Sequence, residues 1–120
     1  MASVFVNKKV DITTDATFTL YTVPSATTAI IKSILISNDD AEGQQHTINI
    51  TITNSSNAVF SIAFGKLIEG AQGQSGEPVE VLTNPLIAET GDIIKVAASS
   101  ANKLHAILSA MEVTPRNVTT

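Results

Sequence analysis

Cysteine and tryptophan are missing from this 120-residue chain, and it has one tyrosine and four phenylalanines. Without cysteine the fold owes nothing to disulfides or to thiolate-bound zinc, and a reducing cytoplasm is compatible with it. With no tryptophan and one tyrosine, Tyr21, there are few aromatic platforms of the kind on which sugar rings stack. A carbohydrate-binding module is therefore kept only as an alternative. Positive charge is scarce too: Lys and Arg number 7 against 11 Asp and Glu, for a net charge of −4. The cations are scattered, so nothing supplies the basic stripe that neutralises phosphates, and no nucleic-acid partner is expected. No apolar run is long enough to cross a bilayer as a helix, so no membrane partner is expected either. The opening Met1-Ala2-Ser3-Val4-Phe5-Val6-Asn7-Lys8-Lys9 lacks the charged start and long apolar run of a secretory signal.

Catalytic constellations are equally thin. His46 and His105 are the only imidazoles and stand far apart in sequence, without the local His-Glu-x-x-His pair of a helical zinc site. They read as surface or strand-edge histidines. Asp39-Asp40-Ala41-Glu42-Gly43 is the densest acidic cluster, but its spacing does not alternate as a calcium loop requires, and it reads as a solvated hairpin loop. Gly73-Gln74-Ser75-Gly76 places its second glycine one position too early for a nucleophile elbow. Gly65-Lys66 is followed by Leu67 where a phosphate-binding loop needs Ser or Thr. No catalytic, cofactor-binding or metal-binding residue is expected, and the chain does not read as an enzyme.

What is present is the chemistry of strands. Hydrophobic residues make up 43% of the chain but aromatics only 4%, so the core must be filled by Ile, Val, Leu and Ala. With abundant Thr and Ser, that mix suits a pleated sheet. Residues 46–54 alternate, with Ile48, Ile50 and Ile52 on one face and Thr47, Asn49, Thr51 and Thr53 on the other. Residues 17–23 alternate as well, with Phe18 and Leu20 opposite Thr17, Thr19 and Tyr21, until Pro24 closes the strand. Asn54-Ser55-Ser56-Asn57 is turn chemistry and predicts a hairpin. Its second arm sets Phe60, Ile62 and Phe64 on one face, where strict alternation would bring them to Ile48, Ile50, Ile52 and Phe18 as the centre of the core. The glycine-rich stretch 69–77 reads as an exposed loop, followed by short strands at 79–83 and 92–98.

Two segments resist a simple pattern. Residues 28–38 hold Ile30, Ile31, Ile34, Leu35 and Ile36, which puts apolar groups on both faces. Such a strand is covered on both sides within the fold or keeps one face for another subunit. In 103–113, Leu104, Ile107, Leu108 and Met111 fall at helical spacing. A strand is preferred there, because Ser99-Ser100-Ala101-Asn102 makes a plausible hairpin turn after 92–98. The count is about eight strands in one domain over 1–120, an all-β antiparallel sandwich of jelly-roll-like type.

Three stretches carry a resemblance. Leu20-Tyr21-Thr22-Val23-Pro24-Ser25-Ala26-Thr27-Thr28-Ala29, continued to Asn38, resembles the Tyr-Thr-x-Pro-Ala-Gly-Lys-Thr-Ala opening of a group of small tailed-bacteriophage virion proteins. Leu86-Ile87-Ala88-Glu89-Thr90-Gly91-Asp92-Ile93-Ile94-Lys95-Val96 is similar to their Leu-x-x-Gly-Asp-x-Ile-x-Val hairpin, and Ser109-Ala110-Met111-Glu112-Val113 to their closing strand. The chain departs from the pattern with Ser25-Ala26-Thr27 where a Gly-Lys turn is usual. The resemblance implies a non-enzymatic part of a phage particle, assembled in the host cytoplasm. A capsid decoration (cement) protein is the first expectation, and a neck, tail or baseplate component the alternative.

Contact surfaces follow from the same features. Residues 1–8 and 114–120 are expected as contact arms, with Val4, Phe5 and Val6 on the first and Pro115 and Arg116 on the second. Ile31, Ile34 and Leu35 are expected on the interface face of the two-sided strand. The expected partners are further copies of the chain, as a trimer, and the major capsid protein or other virion subunits.

Overall fold

The computed structural model describes residues 2–40, 43–69 and 78–114. Nine strands run through them: β1 (Ala2–Asp11), β2 (Phe18–Thr22), β3 (Thr28–Asn38), β4 (His46–Thr53), β5 (Val59–Ile68), β6 (Val79–Glu80), β7 (Leu86–Ala88), β8 (Ile93–Ala98) and β9 (Leu104–Thr114). The short β7 is the strand that sequence periodicity does not reveal. At 103–113 the helical spacing gives way to a strand whose side chains alternate strictly between buried and half-buried from Leu104 to Ala110.

All pairings are antiparallel, and they form two sheets. One has the order β1-β9-β3-β6, with β7 also paired to β3, and the other the order β2-β8-β4-β5. The connectivity is that of a long ribbon folded across itself. The hairpin β4–β5 forms its tip, and β3 with β6 and β7, then β2 with β8, then β1 with β9, form the successive pairs behind it. Laying alternate pairs of this ribbon in alternate sheets creates the new neighbours β9–β3 and β8–β4, which is the jelly-roll arrangement. It follows that 99–102 is not the hairpin turn expected from the sequence. It carries the chain from β8 in one sheet to β9 in the other, and Asn102, at φ 63°, donates its N–H to the Ile12 carbonyl at 2.8 Å.

The core between the sheets is aliphatic, as the composition requires. Ile31, Ile34 and Ile36 of β3 and Leu104 and Leu108 of β9 meet Ile48 and Ile50 of β4 and Ile94 and Val96 of β8, all without solvent contact or nearly so. Removing such side chains from water is the main favourable contribution to folding, about 1.5–3 kcal/mol for each large aliphatic.

Three strands break the two-residue period, and each break moves a side chain to a face that alternation does not predict. In β2 the register slips between Thr19 and Tyr21, so Leu20 is an extra residue. Tyr21 therefore turns inward and is buried, instead of joining Thr17 and Thr19 on the polar face. In β3 the slip lies between Ile31 and Ser33. Lys32 is the extra residue, and Ile31 and Ile34, three apart, both face the core.

In β5 the ladder with β4 slips twice, once on each side of the Ile50–Ala63 pair. Ala63 takes the inner face beside Ile50, Phe64 swings to the outer face and is 82% exposed, and Gly65 follows with φ +62°. Phe60 still pairs with Ile52, but on an edge strand, and is 56% exposed. The phenylalanine-centred core expected from the sequence is therefore not formed. Aliphatic residues fill that place, with Phe18 and Ile62 only partly buried against it.

Candidate interface surfaces

Antiparallel register places directly opposed residues on the same face, so rows of side chains can be followed across a sheet. On the outer face of the five-stranded sheet Phe5 opposes Met111, Met111 opposes Ile30, and Ile30 opposes Ile87. This apolar row crosses β1, β9, β3 and β7. Its two ends are open, with Phe5 80% and Ile87 58% exposed, and its middle is half-buried. A parallel row sets Lys9 by Ile107 and Leu35, with Glu80 beyond. Glu80 is anchored, accepting from Ser33 Oγ at 2.5 Å and from the Ile34 N–H at 2.9 Å. Asn7 and Ser109 are hydrogen bonded between the two rows.

The structure divides the residues expected at contacts. Phe5 and Leu35 lie on this outer face. Val4, opposite Glu112, lies on the inner side of β1 and is more than half exposed, whereas Val6 packs partly against the core. Ile31 and Ile34 are fully buried between the sheets, since the Lys32 bulge turns both inward; neither is a surface residue of this chain. Pro115 and Arg116 lie outside the described residues, as do residues 70–77 of the glycine-rich loop and Ala41 and Glu42 of the acidic cluster. The segment 4–6 is an edge strand of its own sheet, paired with β9 from Ala2↔Thr114 to Asp11↔His105. Its other edge faces away from the sheet. The row itself is missed by sequence reading because its members come from four strands and share no local period.

Both histidines sit at the same end of the sandwich against aspartates. His46 Nε2 lies 2.8 Å from Asp40 Oδ2, and Lys103 Nζ lies 3.6 Å from Asp40 Oδ1. Asp40 is buried rather than solvated, its side chain only 3% exposed, and its N–H is held by Asn38 Oδ1. His105 Nε2 stands 3.4 Å from Asp11 and 3.7 Å from Asp39. These contacts tie the β3–β4 connection to the start of β9 and the end of β1. A buried carboxylate needs such partners, because desolvation otherwise penalises its charge by several kcal/mol. No group of three or more metal-ligating side chains is formed among the described residues.

No protein-family model matches the chain, and no curated protein matches it in sequence. Solved structures do match in fold. A chain of the acidic stable capsid structure of Helicobacter pylori bacteriophage KHP30 superposes with a TM-score of 0.54 and 10% identity, covering 97% of this chain and 90% of that one. A chain of the cyanophage Pam1 capsid asymmetric unit gives a TM-score of 0.48 and 16% identity, covering 94% and 85%.

Proposed function

We propose that this protein is a non-enzymatic structural component of a phage particle, and more specifically a decoration protein that binds the outside of the capsid shell and bridges its subunits. The observation that carries the reading is the jelly roll shared, over nearly the full length of both chains, with a chain of the KHP30 capsid. The sequence resemblance to small virion proteins, which rests on sequence motifs and not on the fold, supports it.

The surface fits that role. An apolar row with exposed ends, Phe5 to Ile87, crosses the outer face of one sheet. Exposed aromatic and aliphatic groups of this kind anchor protein interfaces when a partner removes them from water. The chain acts as a closed homo-oligomer, a trimer at three-fold positions of the shell, each copy touching a different shell subunit. Modest contacts then add, because releasing the assembly requires all of them to break together.

Counting copies in purified particles tests the reading, with imaging of the density to locate them. Copies in proportion to the shell subunits, at three-fold sites on the outer surface, are expected. A few copies at one vertex or along the tail would assign the protein to the neck, tail or baseplate instead. Absence from the particle would overturn the structural role.

A further inference from the structure

The outer face of the four-stranded sheet carries a trough of about 340 Å³, at the lower end of the range of about 300–1,000 Å³ usual for small-molecule sites. Asn49, Thr51, Ser61, Phe64 and Lys95 line it. Its chemistry differs from that of the apolar row on the opposite sheet. One aromatic ring and the exposed Val59 lie among hydroxyl and amide groups, with Lys95 the single cation among the described residues.

Each part has a structural cause. Phe64 is there because the slips in β5 turn it away from the core, and bulges are a common means of re-aiming a side chain at a binding surface. Asn49 is fixed by the same feature: its Oδ1 accepts the Gly65 N–H at 2.6 Å, which leaves the amide NH2 as donor. Lys95 stands mid-sheet in the row Thr19–Lys95–Thr51–Ser61, half-buried among hydroxyls, with no ion pair among the described residues. At one end lies Thr53, 5% exposed, between Ile93 and Val59 in register. Its Oγ1 is the one buried side-chain polar atom without a partner among the described residues. Such an orphan costs about 1–3 kcal/mol in general.

We propose that this trough binds an acidic saccharide. A pyranose ring offers an apolar C–H face to Phe64 and equatorial hydroxyls to the Asn49 amide and to Thr51 and Ser61, while its carboxylate meets Lys95. Charge complementarity selects the acidic sugar, since Lys95 is the only charged group lining the trough among the described residues. The site is independent of the virion reading, because it uses the other sheet and no residue of the apolar row.

The test is titration of the full chain, followed by NMR chemical shifts, with oligogalacturonate, oligomannuronate and sialyllactose, each beside its methyl ester. The ester keeps the ring and removes only the charge. Saturable shifts confined to β4, β5 and β8 are expected with at least one acid. Phe64→Ala should weaken its binding by about tenfold or more, and Lys95→Gln should bring the acid down to the affinity of its ester. Both side chains face solvent, and unchanged circular dichroism will show that the variants fold. No saturable binding of any acid up to about 10 mM, or undiminished binding by Phe64→Ala, overturns the proposal. So does an oligomer that Phe64→Ala converts to monomer in light scattering, since the trough would then be a protein interface.

Discussion

The Tyr21 hydroxyl donates to Glu112 Oε2 at 2.5 Å and so joins β2 of one sheet to β9 of the other across the sandwich. Burial, and then the hydrogen bond to Glu112 and its negative charge, raise the tyrosine pKa well above its ordinary value. The sign of the consequence follows. A phenol whose folded-state pKa lies above that of the unfolded chain holds its proton longer when folded. Its contribution is whole below the unfolded value of about 10 and is lost as the pH rises from there toward the folded value. Stability measured by urea unfolding should fall above about pH 10, and Tyr21→Phe should remove that part of the decline. At neutral pH the same variant leaves the Glu112 carboxylate without this donor, at a cost of about 1.5–3 kcal/mol. A Tyr21→Phe protein as stable as the original at pH 7 would show that the bond contributes nothing.

Beyond the bulge in β3, two adjacent residues face opposite sides of the sheet. Ile34 is fully buried, while Leu35 points to the outer face and is half-buried. Ile34→Ala should therefore cost about 2–5 kcal/mol, the range for a large aliphatic truncated in a packed core. Leu35→Ser should leave the fold nearly as stable and act instead on self-association, read by light scattering. Equal destabilisation by the two would mean that the faces are assigned wrongly.

These strands also show how far the sequence could be read. Where the period of two is unbroken, as over Ile48 and Ile50, the buried face was legible residue by residue. The fold class followed from many such local patterns together. A bulge adds one residue and reverses the parity of everything after it. Strict alternation therefore gives the wrong face for Tyr21 and Phe64, and the bulge at Lys32 turns both Ile31 and Ile34 inward. The signals were faint: Lys32 interrupting an isoleucine run, and Gly65 where a positive φ is needed. Asp40, expected in a solvated loop, is a different case. Its burial depends on His46 and Lys103, one six residues away and the other brought in from beside β9, and no local pattern announces that pairing.

Ala26 adopts φ 54° in the turn between β2 and β3, at the position where the resembling virion proteins have glycine. A left-handed conformation costs a residue with a Cβ about 1–2 kcal/mol. Glycine removes that strain but loses about 0.5–1 kcal/mol through the greater freedom of its unfolded chain. The balance predicts that Ala26→Gly stabilises the protein, by about 0.5–1 kcal/mol. A higher urea midpoint with an unchanged slope is the expected result, and a lower midpoint would mean that Ala26 makes contacts worth more than its strain.

The row from Phe5 to Ile87 can be removed without touching the core, because both of its ends face solvent. Phe5→Ser with Ile87→Ser should change the unfolding free energy by less than about 1 kcal/mol. If the row docks on a shell, its removal forfeits up to about 1.5–3 kcal/mol for each side chain fully buried there. In a trimer the loss is felt at every copy, so retention on particles should fall far more steeply than any single contact implies. Co-sedimentation with shells stripped of the native protein measures it. Undiminished retention of the double variant would remove this face from the interface and leave the exposed edges of β1 and β5 as the surfaces through which the protein meets its partners.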